Sequence, residues 1–185
     1  VILSGKQDRF MPKFNYKGFQ FVEVSSSAPI QLSDENLIAV EMHSDVPIIG
    51  YWSSSSDLLN KIWKATNSSY LANLFGYPTD CPQREKNGWT GDAHIAIETG
   101  LYNFDGISIY EKWMNDFCDE QKDNGVLPCI IPTSVWGYDW ANGVDWTSAV
   151  AIIPWEIYRF YGDTTLLRRM YGPIKKYVSY IESIS

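Results

Sequence analysis

The spacing of apolar residues changes near residue 50. Upstream, Gly18-Phe19-Gln20-Phe21-Val22-Glu23-Val24 alternates large and polar side chains. Asn36-Leu37-Ile38-Ala39-Val40-Glu41-Met42-His43 is an apolar run behind a polar turn. Both segments predict half-buried strands. Two or three strands do not make a stable domain alone, so residues 1–50 are expected to be the C-terminal strands of a β-sandwich domain. Downstream the spacing becomes three to four. Ser53 to Asp57 supplies N-cap candidates, and Leu58, Leu59, Ile62, Trp63, Tyr70, Leu71 and Leu74 recur on one face. That pattern predicts an amphipathic helix ending near Gly76.

A non-helical stretch follows from Tyr77 to Gly91, punctuated by Pro78, Pro82, Gly88 and Gly91. A second helix is predicted from Asp92 to about Tyr102. A third runs from about Ile107 to Gln121, with Ile107, Tyr110, Met114 and Phe117 on one side and Asn124-Gly125 as its stop. A long loop then spans Val126 to about Val144. A fourth helix is predicted from Trp146 to about Tyr161, a fifth from the N-cap candidate Asp163, and a sixth after Pro173, which suits a first helical turn. The expected fold class is mainly α, built from helical hairpins packed side by side. A loop of nearly twenty residues is uncommon in a compact domain unless it is functional, and this one carries Trp136 and Trp140.

Composition sharpens the picture in one respect. Of 185 residues, 8 are Trp, 12 Tyr and 8 Phe, a share that suits either an aromatic-rich core or stacking on sugar rings. The net charge of −7 makes nucleic acid a poor partner, because phosphate repels an acidic chain. No Lys/Arg cluster points to an anionic membrane, and no apolar stretch is long enough to span one. Cys81, Cys118 and Cys129 fit no zinc spacing, and only two His are present, so neither metal nor other cofactor is expected. The cysteines leave the cellular compartment unread.

The chemistry concentrates in Asp80-Cys81-Pro82-Gln83-Arg84-Glu85-Lys86-Asn87-Gly88-Trp89-Thr90-Gly91-Asp92-Ala93. Three carboxylates, one Arg and one Trp fall within thirteen residues, between an apolar helix and the start of the next. Glycosidases need such a set: an acid to protonate the leaving oxygen, a second carboxylate to activate water or attack, and further polar groups and an aromatic face to hold the sugar. Plainer readings stand beside this one. Asp92 can be the N-cap of the helix it opens. Arg84 and Glu85 can be an exposed ion pair, of a kind worth about 0–1 kcal/mol. Gly88 and Gly91 can serve turns, and Trp89 can be core. Trp136 and Trp140 divide between sugar contact and plain packing. His94, without a partner at ligand spacing, reads as core or surface. Asn67-Ser68-Ser69 matches a glycosylation triplet but lies on a predicted helix.

The run from Asp80 to Ala93 resembles the signature of the bacterial α-L-rhamnosidases of glycoside hydrolase family 78. The likeness extends over nearly the whole chain. The segment 18–24 resembles the end of the sandwich before the catalytic domain, 42–63 the start of the first barrel helix, and 144–163 a later hairpin. The resemblance implies an (α/α)6 barrel of six hairpins, with residues 51–185 its N-terminal part, and inverting release of terminal α-L-rhamnose from glycosides or polysaccharides. It implies Glu85 as general acid, Asp80 and Asp92 as sugar-holding carboxylates, Trp89 as the ring-contacting aromatic, and Arg84 as a residue that orders the carboxylates. Many members carry one more residue between Arg84 and Gly88. The later motif is usually Trp-Gly-Asp-Ala, where this chain has Trp146-Thr147-Ser148-Ala149 behind Asp145. Asp145 and Trp146 are expected at the substrate, with the Asp145 role shifted by that change. The general base is expected in a later hairpin beyond Ser185, so that residues 1–185 alone would be inactive and would expose apolar faces that favour self-association. The alternatives are a barrel glycosidase of another sugar specificity and a non-catalytic sugar-binding remnant.

Overall fold

The computed structural model describes all residues except Leu3, Gln7 and Ala141. The helices begin where the apolar spacing changes. They are α1 (Asp57–Ala72), α2 (Thr90–Asn103), α3 (Ile107–Glu120), α4 (Val144–Thr147), α5 (Ala149–Tyr161) and α6 (Thr165–Ile184). α2 packs against α1, α4 and α5, while α5 also meets α3 and α6, so α2 and α5 lie at the centre. The core follows the stripe predicted for α3, whereas α1 contributes no buried residue, and Leu58, Leu59 and Ile62 of its predicted apolar face are exposed. Ile97 and Leu101 of α2 meet Tyr110, Trp113, Met114 and Phe117 of α3, Ile153 and Ile157 of α5, and Met170 of α6. Each of these side chains removed from water contributes about 1.5–3 kcal/mol. The Trp113 indole N–H donates to the Ile131 carbonyl at 2.9 Å, so even this fully buried ring leaves no polar atom bare.

Several expectations need correction. Residues 18–24 and 36–43 form no ladder, and Phe19, Phe21, Val22, Ile38 and Val40 are exposed. Alternation specifies which face would be apolar, but a strand also needs a neighbour for its backbone N–H and C=O groups. Among the described residues neither segment has one. The N-terminal stretch instead touches the helical part at single points. Gly18 N–H donates to the Pro82 carbonyl at 3.1 Å, and the Tyr16 ring packs on Phe75.

The predicted fifth and sixth helices are one helix, α6, which runs through Pro173. Leu166, Met170 and Tyr177 keep one buried face across the proline, and that packing outweighs the hydrogen bond that Pro173 cannot donate. Gly172, lacking a Cβ, eases the clash a proline normally makes with the residue before it. The predicted fourth helix is split by a turn at Ser148 into α4 and α5. Ser56 sits at the N-cap of α1 but makes no side-chain cap bond; Asn60 closes that end by exchanging bonds of 2.8 and 2.9 Å with Ser54. The N-cap of α6 is Thr164 rather than Asp163, which stands one residue earlier and accepts from the Thr165 N–H and hydroxyl at 2.8 and 2.6 Å. No helix among the described residues is long and apolar enough to cross a membrane.

Candidate active site

The segment between α1 and α2 is closed on itself by its own polar groups. Asp80 N–H donates to the Asn87 carbonyl at 3.1 Å, and Asn87 N–H returns a bond of 2.9 Å to Asp80 Oδ1. Inside that ring, the Cys81 thiol donates to Asp80 Oδ2 at 2.8 Å and accepts the Glu85 N–H at 3.3 Å. The far end of the segment is stapled to the start of the long loop. Ile131 N–H donates to the Gly88 carbonyl, and Thr90 donates through both N–H and hydroxyl to the Cys129 carbonyl, all at 2.9–3.0 Å. These bonds also satisfy a donor that the first turn of α2 would leave bare.

Asp92 is not the cap of α2. The helix starts at Thr90, with Trp89 in extended conformation before it, so Asp92 lies inside the first turn. There it lines a cavity of about 650 Å³ together with Asp80, Trp146 and the α1 residues Thr66, Ser69 and Tyr70. Trp146 packs so closely on α2 that a Cβ at Gly91 would lie 2.7 Å from its indole, and its buried N–H has no partner among the described residues. Burial raises the Asp92 carboxyl above the ordinary range; its backbone N–H opposes this, and the charges of Asp80 and Glu85 add to it.

That shift has a testable sign. A raised carboxyl means that the folded chain binds the proton more tightly than the unfolded chain. Below the ordinary Asp value near ~4 both states are protonated and no penalty exists; above it, ionisation costs the folded state stability. Asp92→Asn is therefore expected to unfold at a higher temperature than the parent at pH 7, with the advantage vanishing as the pH falls below about 4. Melts across this range check it. An advantage independent of pH would assign the effect to packing instead.

Glu85 stands next to this cavity. Its Oε2 accepts the Trp89 indole N–H at 2.8 Å, and its side chain is 32% exposed. Trp89 is set edge-on between Trp140, at 5.6 Å, and Trp146, at 6.3 Å, and Trp140 in turn meets Trp136 at 5.7 Å. Four indoles from the site segment, the long loop and α4 thus form one cluster. Trp136 and Trp140 lie at its outer edge, each 41% exposed. The loop that carries them is pinned. Tyr138 donates to Glu120 at 2.7 and 2.8 Å, and Lys122 Nζ sits 3.9 Å from the centre of the Tyr138 ring.

Asp80, Asp92 and Trp146 share the cavity, and Glu85 and Trp89 adjoin it. Two other candidates stand apart. Arg84 has a side chain that is 78% exposed, and among the described residues its hydrogen bond is to Glu85, at 3.4 Å, with none to Asp80 or Asp92. Asp145 presents its backbone carbonyl to His94 Nε2 at 2.9 Å and does not line the cavity. Sequence reasoning passed over Cys81, read only as part of a cysteine count, and took His94 as core or surface without foreseeing that it ties α2 to α4. A thiol one residue after a site carboxylate was the available signal for the first.

Comparison with known proteins gives this arrangement a context. Residues 47–185 match the family model of the bacterial alpha-L-rhamnosidase 6 hairpin glycosidase domain, and residues 1–43 that of the bacterial alpha-L-rhamnosidase concanavalin-like domain. The chain is 33% identical over 176 residues to an alpha-L-rhamnosidase of Alteromonas sp. (strain LOR), covering 94% of this chain and 19% of that one. Among solved structures, the alpha-L-rhamnosidase from Dictyoglumus thermophilum superposes with a TM-score of 0.73 at 38% identity, over 77% of this chain and 16% of that one. The Streptomyces avermitilis alpha-L-rhamnosidase complexed with L-rhamnose gives 0.70 at 27%, over 77% and 14%. The chain thus spans about a fifth of the length of the curated relatives it matches. A helical segment that matches this family from residue 47 to residue 185 belongs to the bacterial α-L-rhamnosidases, in their six-hairpin glycosidase domain.

Proposed function

We propose that this protein releases terminal α-L-rhamnose from rhamnosides or rhamnose-containing polysaccharides by an inverting acid/base mechanism. The observation that carries the reading is the pairing of Asp80 and Asp92 in one cavity wall beside a Glu85 held by an indole N–H. Residues 1–50 and 51–185 are taken as parts of two domains, a division supported by the separate family matches to 1–43 and 47–185.

In this reading Glu85 protonates the glycosidic oxygen. The Trp89 N–H holds Oε2 at 2.8 Å, and the longer Arg84 contact to Oε1, at 3.4 Å, opens for Oε1 to carry the proton. Asp80 and Asp92 accept hydrogen bonds from sugar hydroxyls, and the Trp146 ring forms part of the same wall. Trp89 fixes the acid and closes the wall with its ring, Trp136 and Trp140 border the leaving group, and Arg84 and Asp145 act at the rim. The carboxylate that activates water is assigned outside residues 1–185. Within them, Glu98 and Glu156 are bound to Arg159, and Glu120 is engaged by Tyr138.

A panel of aryl glycosides tests the substrate, with the anomer of the first product read by NMR. Rhamnose released initially as the β-anomer is expected. Release of another sugar would shift the specificity, and binding without any release would indicate a non-catalytic protein. Asp80→Ala and Asp92→Ala should each weaken rhamnose binding in calorimetry by roughly tenfold, the effect of losing a buried polar contact worth about 1–3 kcal/mol. Unchanged affinity in both would remove these residues from the sugar subsite.

A further inference from the structure

We infer that Cys81 is a positioning residue that ties the sugar-holding Asp80 to the backbone carrying Glu85. The inference rests on the function proposed above and names a residue to which that reading gave no role. The Cys81 Sγ–H donates to Asp80 Oδ2 at 2.8 Å, and the same sulfur accepts the Glu85 N–H at 3.3 Å. The other Asp80 oxygen is held by the Asn87 N–H at 2.9 Å. Both oxygens of Asp80 are therefore fixed from within its own turn, one by a thiol and one by backbone. The thiol is free and half-buried, and Cys118 and Cys129 are engaged elsewhere, with Met170 and with the Trp140 carbonyl. The Cys81 sulfur thus bridges the Asp80 carboxylate and the Glu85 backbone N–H.

The chemistry of sulfur suits the place. A thiol is a donor and a weak acceptor at once, which is what a position between a carboxylate and a backbone N–H requires. With its proton committed to Asp80, the sulfur has only lone pairs to offer Glu85, so the two bonds set each other's direction. Removing the donor frees Asp80 to rotate and leaves the Glu85 N–H in the turn without its acceptor. A volume-filling residue cannot replace either bond.

Three variants of the full-length enzyme separate positioning from packing. Cys81→Val keeps most of the volume and removes the donor; Cys81→Ser keeps the donor and loses volume; Cys81→Ala loses both. Val and Ala are expected to weaken rhamnose binding and to lower kcat/KM about tenfold to a hundredfold. The loss should be larger for leaving groups that need protonation than for activated aryl leaving groups. Ser should recover to within a few-fold of the parent. Val outperforming Ser, or equal loss in Ser and Val, would overturn the inference in favour of packing. A readout independent of turnover and of these variants' folding is the infrared S–H stretch of Cys81, assigned by its disappearance in Cys81→Ser. It should lie below that of a thiol without a hydrogen bond and move upward in Asp80→Asn. A band that stays put in Asp80→Asn overturns the inference, whereas a parent enzyme that shifts as expected but releases no rhamnose overturns only the proposed function.

Discussion

Glu85→Gln is expected to lower hydrolysis of rhamnosides with alkoxide-like leaving groups by about 10²- to 10⁴-fold, the usual contribution of a positioned general acid. The substitution preserves size, and its amide oxygen still accepts the Trp89 N–H that now holds Oε2 at 2.8 Å. The transferable proton is lost, and with it an exposed ion pair to Arg84 at 3.4 Å that is worth about 0–1 kcal/mol. A leaving group that departs as a stable anion does not need that proton, so activated aryl rhamnosides should be hydrolysed with a much smaller loss. Plotting kcat/KM against leaving-group pKa for parent and variant measures this directly. The variant should show the steeper dependence. A uniform loss across the series would mean that Glu85 supports the site without donating the proton.

The second large effect is structural. A Cβ at Gly88 would fall far inside the van der Waals radius of the Ile131 carbonyl oxygen and lie 3.3 Å from the Tyr77 ring. Ile131 O belongs to backbone that is itself locked, since Ile131 N–H bonds back to Gly88 and Trp113 donates to that same oxygen. Nothing flexible can give way. Gly88→Ala should therefore cost about 3 kcal/mol of stability, at the upper end for overpacking, and should be visible as a shifted denaturant midpoint. Gly91→Ala provides the contrast. Its obstacle is the Trp146 side chain, so the ring is displaced from the cavity wall and sugar binding suffers more than stability. Equal destabilisation by the two substitutions would show that Trp146 is as immovable as the backbone.

Much of this was legible in the sequence because helices announce themselves through repeated apolar spacing. α1 and α3 end within a few residues of their expected limits, and Tyr110, Met114 and Phe117 are buried as their spacing required. The gathering of Asp80 and Asp92 was also legible, through the resemblance of the run from Asp80 to Ala93 to a family signature rather than through spacing. What stayed hidden depended on partners distant in sequence. The alternation at 18–24 gave no information about whether a neighbouring strand exists. Pro173 looked like a boundary because proline is judged locally, whereas Leu166, Met170 and Tyr177 are buried by surfaces on other helices. The roles of Cys81 and Trp89 lie in hydrogen-bond direction, which composition does not encode. Asp92 looked like a cap because the two residues before it, Thr90 and Gly91, are poor helix formers; bonds to the Cys129 carbonyl extend the helix through them.

The staple between residues 88–90 and 129–131 has a consequence for anyone who would alter the proposed substrate specificity. Trp140 sits on the long loop and leans on Trp89, while Trp89 holds Glu85. Under the proposed function, substitutions at positions 135–140 chosen to admit a different leaving group are expected to be felt at Glu85, and not to add to the effects of changes at 85–89. Randomising the two segments separately and combining the winners should yield mostly inactive clones. Varying them together, with Gly88, Thr90 and the 129–131 backbone left untouched, keeps the hinge on which both depend.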